Sequence, residues 1–248
     1  MEERGYDMLD AIARHSGGFA DAAAGNLPAR VEHCPDWTVA DLVWHLTEVH
    51  WFWATIVEQR LDTPPDDGNR PARGGDEGLL EKFRQGALHL VEVLSGADPS
   101  SHVWTWAPAQ QDVAFVARHQ VQEAAVHHWD AVNAAGGRLA IEPRVASDGI
   151  DEFLTFSLSS DADPADPPRP ALEGTFALRC ADTGDAWTLT DGAAPGTVAK
   201  QAGAAPEIPQ IAADASDLLL WLYGRVRLEP GDVSTELLER FRALTFTD

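Results

Sequence analysis

Between residues 4 and 135, apolar side chains recur every three or four positions in four separate stretches of about twenty residues each. That period belongs to the α-helix, and a helix with one apolar stripe is stable only when the stripe is covered by another element. Four such helices in succession predict a bundle. The first stretch, residues 4–24, sets Met8, Leu9, Ile12, Phe19 and Ala23 on one face despite an internal Gly17-Gly18 pair. The second begins at the PDWT sequence, where Thr38 is the expected N-cap, and carries Leu42, His45, Leu46, Val49 and Phe52 to about Arg60. In the third, 77–96, the stripe is Leu79, Leu80, Phe83, Ala87, Leu90 and Leu94. The fourth covers 113–135 and stops at Gly136-Gly137.

Between the second and third helices, TPPDDGNRPARGGDEG (63–78) has no periodicity and is dense in Pro, Gly and Asp, so it reads as a surface loop long enough to be functional or mobile. The pattern changes after residue 160. DADPADPPRP (161–170) has the composition of a linker. LEGTFALRC and AWTLTDG then alternate apolar and polar residues around the turn ADTGD, which predicts a β-hairpin. A strand candidate in EIPQIAADA and helices at 215–224 and 234–243 complete the chain. The expected fold class is α+β, with a helical bundle over 1–160 and a small α+β domain over 165–248.

Forty acidic against eighteen basic side chains give a formal charge of −22. Nucleic acid is excluded as an expected partner, because phosphate backbones are bound by clustered cations and this chain has two lysines, Lys82 and Lys200, with its arginines scattered. Anionic membrane surfaces are disfavoured for the same reason. The acids read as a solvated, mutually repelling surface. With no apolar run near the eighteen residues that span a bilayer, and a charged beginning, MEERGYDMLD, the expected location is the cytoplasm. The only cysteines, Cys34 and Cys180, lie far apart, which rules out a disulfide framework and a cysteine zinc site. Cys34 precedes a helix, where a thiol can be reactive, but a structural role is the better reading.

Chemistry concentrates in the fourth helix. His119, Glu123 and His127 are four residues apart and share one face, and a helix that turns such groups inward must satisfy them. A divalent metal would do so, with a histidine of the second helix as a further ligand. The second helix offers His45 and His50, rotated by about 140° from each other at 100° per residue. His45 lies on the stripe with Leu42, Leu46 and Val49 and is the better ligand, whereas His50 falls off it and reads, with Glu48, as a solvent-exposed or cavity-mouth residue. A Glu and His at this spacing also occur as surface ion pairs, so the pattern alone does not assign the metal. His119 is expected to be a hydrogen-bonded histidine more than a fourth ligand. Trp37, Trp51, Trp53, Trp104, Trp106 and Trp129 are expected as core or pocket walls.

CPDWTVADLVWHLTEVHWFWA, followed about 70 residues later by RHQVQEAAVHHWDAVNAAG, resembles the actinobacterial mycothiol-dependent maleylpyruvate isomerase family, within the DinB-like metal-binding four-helix bundles. DASDLLLWLYGRV resembles the family's C-terminal domain, so the likeness extends over nearly the whole chain. Carried over by position, it implies zinc held by His45, Glu123 and His127, and an arginine, Arg225, that contacts an anionic substrate or the thiol. It further implies mycothiol as thiol cosubstrate, with zinc lowering the thiol's pKa and the thiolate adding to an electrophilic small molecule. Keeping the adduct would make the protein an S-transferase; rotation and elimination would make it a cis–trans isomerase. A non-catalytic metal-binding or thiol-sensing module is the alternative that such a fold also permits. One position departs from the family, which often has Arg where this chain has His128.

Overall fold

Helix starts follow from side-chain acceptors that the sequence supplies for the first, otherwise orphaned amides. In this computed structural model, which describes residues 6–158 and 169–245, α1 (Met8–Ala23) is capped by Asp7, which accepts from the amides of Leu9 and Asp10. α2 (Val39–Gln59) opens on a reciprocal capping box: the Thr38 hydroxyl accepts from the Asp41 amide, and the Asp41 carboxylate accepts from the Thr38 amide at 2.8 Å. Those Thr38 hydrogen bonds, and then Arg73, hold the Asp41 carboxyl down at about 2. α3 (Leu79–Gly96) follows the left-handed Gly78, and α4 (Val113–Ala134) is capped by Asp112.

These four helices form the first of two compact units, residues 1–141. Phe19 of α1 meets Phe83 of α3 edge-on at 4.9 Å, among Leu42, Val43 and Leu46 of α2 and Ala131 of α4. Each large side chain buried this way contributes roughly 1.5–3 kcal/mol. Gly18 has a steric role on α1: a Cβ there would collide with the His128 imidazole of α4.

The bundle is not a simple up-and-down one. Trp44 lies by Lys82, His50 by Phe83 and Glu58 by His89, so α2 and α3 point the same way. His45 lies by His127 and Trp53 by His119, so α2 and α4 point in opposite directions. Parallel neighbours need a connection that runs back their full length, which is the physical reason for the long irregular segment 60–78. It returns along α2, with Arg70 against Glu48 at 3.6 Å and Arg73 against Asp41.

The second unit, residues 142–248, contains α5 (Pro143–Phe156), a four-stranded sheet, α6 (Ala215–Leu222) and α7 (Thr235–Leu244). β1 (Thr175–Cys180) and β2 (Ala186–Asp191) form the expected hairpin, with Phe176 opposite Leu189 and Leu178 opposite Trp187. β4 (Gln210–Ala213) lies parallel to β1, and β3 (Val198–Ala202) forms the other edge, giving the order β3-β2-β1-β4. Phe241 of α7 packs on Phe176 and stacks with Trp221 of α6. α5 is pinned to the sheet by Asp151, whose carboxylate accepts from the Trp187 indole at 3.0 Å and from the Lys200 ammonium.

The α+β class with an N-terminal helical bundle is as expected. By its contacts the chain divides at 141 and 142, with α5 on the C-terminal side. Of the expected linker, residues 161–168 lie outside the described residues. Among the described residues, no helix is long and apolar enough to cross a membrane.

Candidate metal centre

α2 and α4 cross so that three predicted side chains converge. The Glu123 Oε2 atom lies 3.6 Å from His45 Nε2 and 3.5 Å from His127 Nε2, and one ligand atom from each residue falls within 4.8 Å of the others. Ligands about 2.0–2.2 Å from a tetrahedral zinc stand about 3.4 Å apart, so the two Glu123 distances suit such an ion, and the remaining ligand atoms would have to draw closer together to share it. Glu123 Oε2 supplies an independent indication, since it is buried with no hydrogen-bond partner. An acceptor in that condition, facing two imidazole nitrogens, fits a cation. The donor set of two imidazoles and one carboxylate is that of a site with an open position.

Electrostatics agree with the geometry. Burial raises the Glu123 pKa, but the neighbouring imidazoles of His45, His127 and His119 outweigh it and hold the carboxyl well below the usual range. Glu123 is therefore an anion at neutral pH, as a ligand must be.

Asp130 completes the arrangement and was missed in the sequence. Its Oδ2 lies 3.0 Å from His127 Nδ1, and the carboxylate is fully buried. Accepting from Nδ1–H fixes the tautomer that leaves the Nε2 lone pair directed at Glu123. The signal was available, since Asp130 stands three residues after His127 on the same helix face. Asp130→Asn should weaken zinc binding about 10–100-fold while leaving all three ligands in place, as measured by competition with a chromophoric chelator.

His119 is brought near but not in. Its Nε2 is 3.8 Å from the other carboxylate oxygen of Glu123, and its ring is packed among Trp53, Trp106 and Phe115. Trp37, from the loop before α2, lies 5.0 Å from the His45 ring, while Trp104 stacks on Trp53 and Trp129 lies by His33. Trp51 is half-buried on α2. Glu48 is half-buried and held by Arg70. Cys34 is half-buried and Cys180 buried, with the Cys180 thiol pushed up to about 11, first by burial.

His50 is a correction. It is fully buried, not exposed, and stacks on Phe83 with ring centroids 5.3 Å apart. The buried face of α2 runs through Val43, Leu46, Thr47, His50, Trp53 and Ala54, rotated from the expected stripe, of which His45, Val49 and Phe52 are only half-buried. His128, the departure from the family pattern, points at α1, with its Nδ1 3.2 Å from that of His15. Arg225 belongs to the second unit and donates from Nη1 to the Tyr223 carbonyl at 2.9 Å.

A helical bundle that gathers two imidazoles and a carboxylate at one point, one of the imidazoles held by a further carboxylate, defines the class: a four-helix bundle with a candidate catalytic metal site. Residues 8–132, half of the chain, match the family described as mycothiol maleylpyruvate isomerase N-terminal domain. The chain belongs to that family. Comparison with curated proteins and with solved structures gives no match.

Proposed function

We propose that the protein is a zinc- and mycothiol-dependent enzyme that activates the thiol for addition to an electrophilic small molecule, as a cis–trans isomerase of the maleylpyruvate type or as an S-transferase. The observation that carries this reading is the convergence of His45, Glu123 and His127, with Glu123 Oε2 buried and unpartnered. Zinc bound there would supply the positive charge that brings a thiol's pKa below neutrality.

The chain's own residues have separable tasks. Glu123 contributes the negative charge, and His45 and His127 contribute neutral nitrogen donors. Asp130 keeps the His127 proton on Nδ1. The indoles of Trp37 and Trp53, with the ring of Phe115, line the surroundings with apolar surface that limits water around a charged nucleophile. Arg225 is assigned, on the family resemblance, to the anionic substrate or the thiol. No protein nucleophile is needed. The reaction is placed in the cytoplasm.

Purified protein should hold one zinc per chain and, with mycothiol but not glutathione or bacillithiol, should either consume the thiol when given a bimane or convert a maleyl compound to its trans isomer with the thiol regenerated. Either activity should stop on chelation and return with zinc. Stoichiometric zinc with neither thiol consumption nor isomerisation would favour a binding or sensing module and overturn the enzymatic reading.

A further inference from the structure

An apolar row on α2 is left half-open at the metal-ligand cluster itself. His45, Val49 and Phe52 follow one another at helical spacing and share one face, yet each is only half-buried. A valine and a phenylalanine in line with a metal ligand are residues that gain by being covered. Seven residues at a helical rise of about 1.5 Å make the row roughly 10 Å long.

The surroundings of the row are aromatic. Phe52 meets Trp104 edge-on at 5.9 Å, and Trp104, itself half-buried, stacks on Trp53. Trp53 and the half-buried Trp106 both lie against His119, whose Nε2 is 3.8 Å from the Glu123 carboxylate. A chain of ring contacts therefore runs from the metal-ligand carboxylate to Phe52. At the other end of the row, the indole of Trp37 lies 5.0 Å from the His45 ring.

Charge supplies a further constraint. Asp41 and Glu48 flank the row on α2, and the arginines brought to them, Arg73 and Arg70, are already engaged with these two carboxylates. An anionic molecule laid along this face would meet acids whose cations are taken, whereas an uncharged one meets ring surface.

We propose that the electrophile of the thiol addition put forward above, on which this assignment rests, is an uncharged conjugated molecule with a flat aromatic body, laid along Val49 and Phe52 with its reactive carbon at the His45 end. The length of the row suits a benzene ring carrying a short conjugated chain. In an aryl enone of that kind the thiolate sulfur bonds to the β-carbon, the alkene π pair shifts to the α-carbon, and a proton from water, replacing the one that the thiol gave up, completes the adduct. Nothing is oxidised or reduced and no group leaves. Of the two reactions proposed, this is the S-transferase one, and Phe52 is its specificity-determining residue.

The test uses the full chain with zinc and mycothiol and compares benzylideneacetone with methyl vinyl ketone, which lacks the ring, and with benzoylacrylate, which keeps a ring and adds a carboxylate. Relative to the rates without protein, kcat/KM should be about tenfold higher for benzylideneacetone than for either of the others, the upper end of what one aromatic contact is worth. Phe52→Ala should remove that advantage through KM, Phe52→Tyr should restore it, and both variants should hold as much zinc as the unaltered protein. Benzylacetone, the saturated analogue that cannot react, should show saturable binding by saturation-transfer NMR, about tenfold weaker in Phe52→Ala. Turnover in which benzoylacrylate does as well as benzylideneacetone, or in which Phe52→Ala lowers all the enones alike, would overturn this class of substrate and leave the thiol addition standing. Saturable, Phe52-dependent binding of benzylacetone without turnover of any enone would do the reverse, keeping the apolar site and removing the thiol addition. Neither turnover nor binding would overturn both.

Discussion

Glu123→Gln should yield a folded protein that no longer retains zinc. The substitution preserves the shape of the side chain, so the packing of α4 against α2 is unchanged, and it removes the negative charge that His45 and His127 share. Two neutral imidazoles and an amide oxygen are a much weaker donor set for a divalent cation than two imidazoles and a carboxylate. Loss of an outer hydrogen-bonding partner alone costs about 10–100-fold in affinity, so loss of the charged ligand should exceed a hundredfold. The helices should still form, because the amide keeps the shape of the carboxyl and can hydrogen-bond to the facing imidazoles in its place. Elemental analysis after dialysis reads the metal, and far-ultraviolet circular dichroism reads the helices. His45→Ala should behave in the same way toward the metal. Stoichiometric zinc in both variants would remove the assignment of these ligands.

The contrast between His45 and His50 shows how far a sequence pattern reaches. Helical periodicity located α1 to α4, because apolar side chains recur at helical spacing and Thr38 is a standard capping acceptor. It also placed Glu123 and His127 on one face, but choosing His45 as their partner rested as much on the family resemblance as on the stripe. His50 was misjudged because the buried face of α2 is rotated from the expected stripe: it runs through Val43, Leu46, Thr47, His50, Trp53 and Ala54, while His45, Val49 and Phe52 are only half-buried. α5 was missed for the converse reason: its buried face includes Ser147, Asp148 and Glu152, which break the apolar period from which a helix is read. β3 has neither alternation nor burial, since VAKQA is an edge strand fixed by pairing with β2. The segment 60–78 looked like a free loop because nothing local in a sequence says that α2 and α3 are parallel. Its length is set by topology, and its arginines matter only once they meet Glu48 and Asp41.

His50 should make the bundle sensitive to acid. Burial lowers its pKa from 6.5 to about 4; the Glu123 charge opposes this and the His45 charge adds to it. Both ring nitrogens are buried without a hydrogen-bond partner, and the ring stacks on Phe83. The folded protein therefore holds this imidazole neutral at pH values where an unfolded chain would protonate it. Because the folded pKa lies below the unfolded one, the unfolded state binds the extra proton between about pH 6.5 and 4. Stability is whole above 6.5 and is lost as the pH falls through that window toward the folded pKa. A gap of this size corresponds to about 3 kcal/mol, a large part of the stability of an ordinary domain. His50→Phe removes the titrating group and both unpartnered nitrogens and keeps a ring against Phe83, so at pH 7.5 it should be as stable as the unaltered protein or more so. Between pH 7.5 and 4.5 its advantage should grow by about 2–3 kcal/mol, because the unaltered protein alone pays to neutralise this imidazole. Urea unfolding of metal-free protein at the two pH values measures the difference, and the many carboxylates common to both proteins cancel in it. Stability curves that stay parallel across the window would show that His50 is partnered in solution by a bound water or by a neighbour, and that its burial does not govern the acid response.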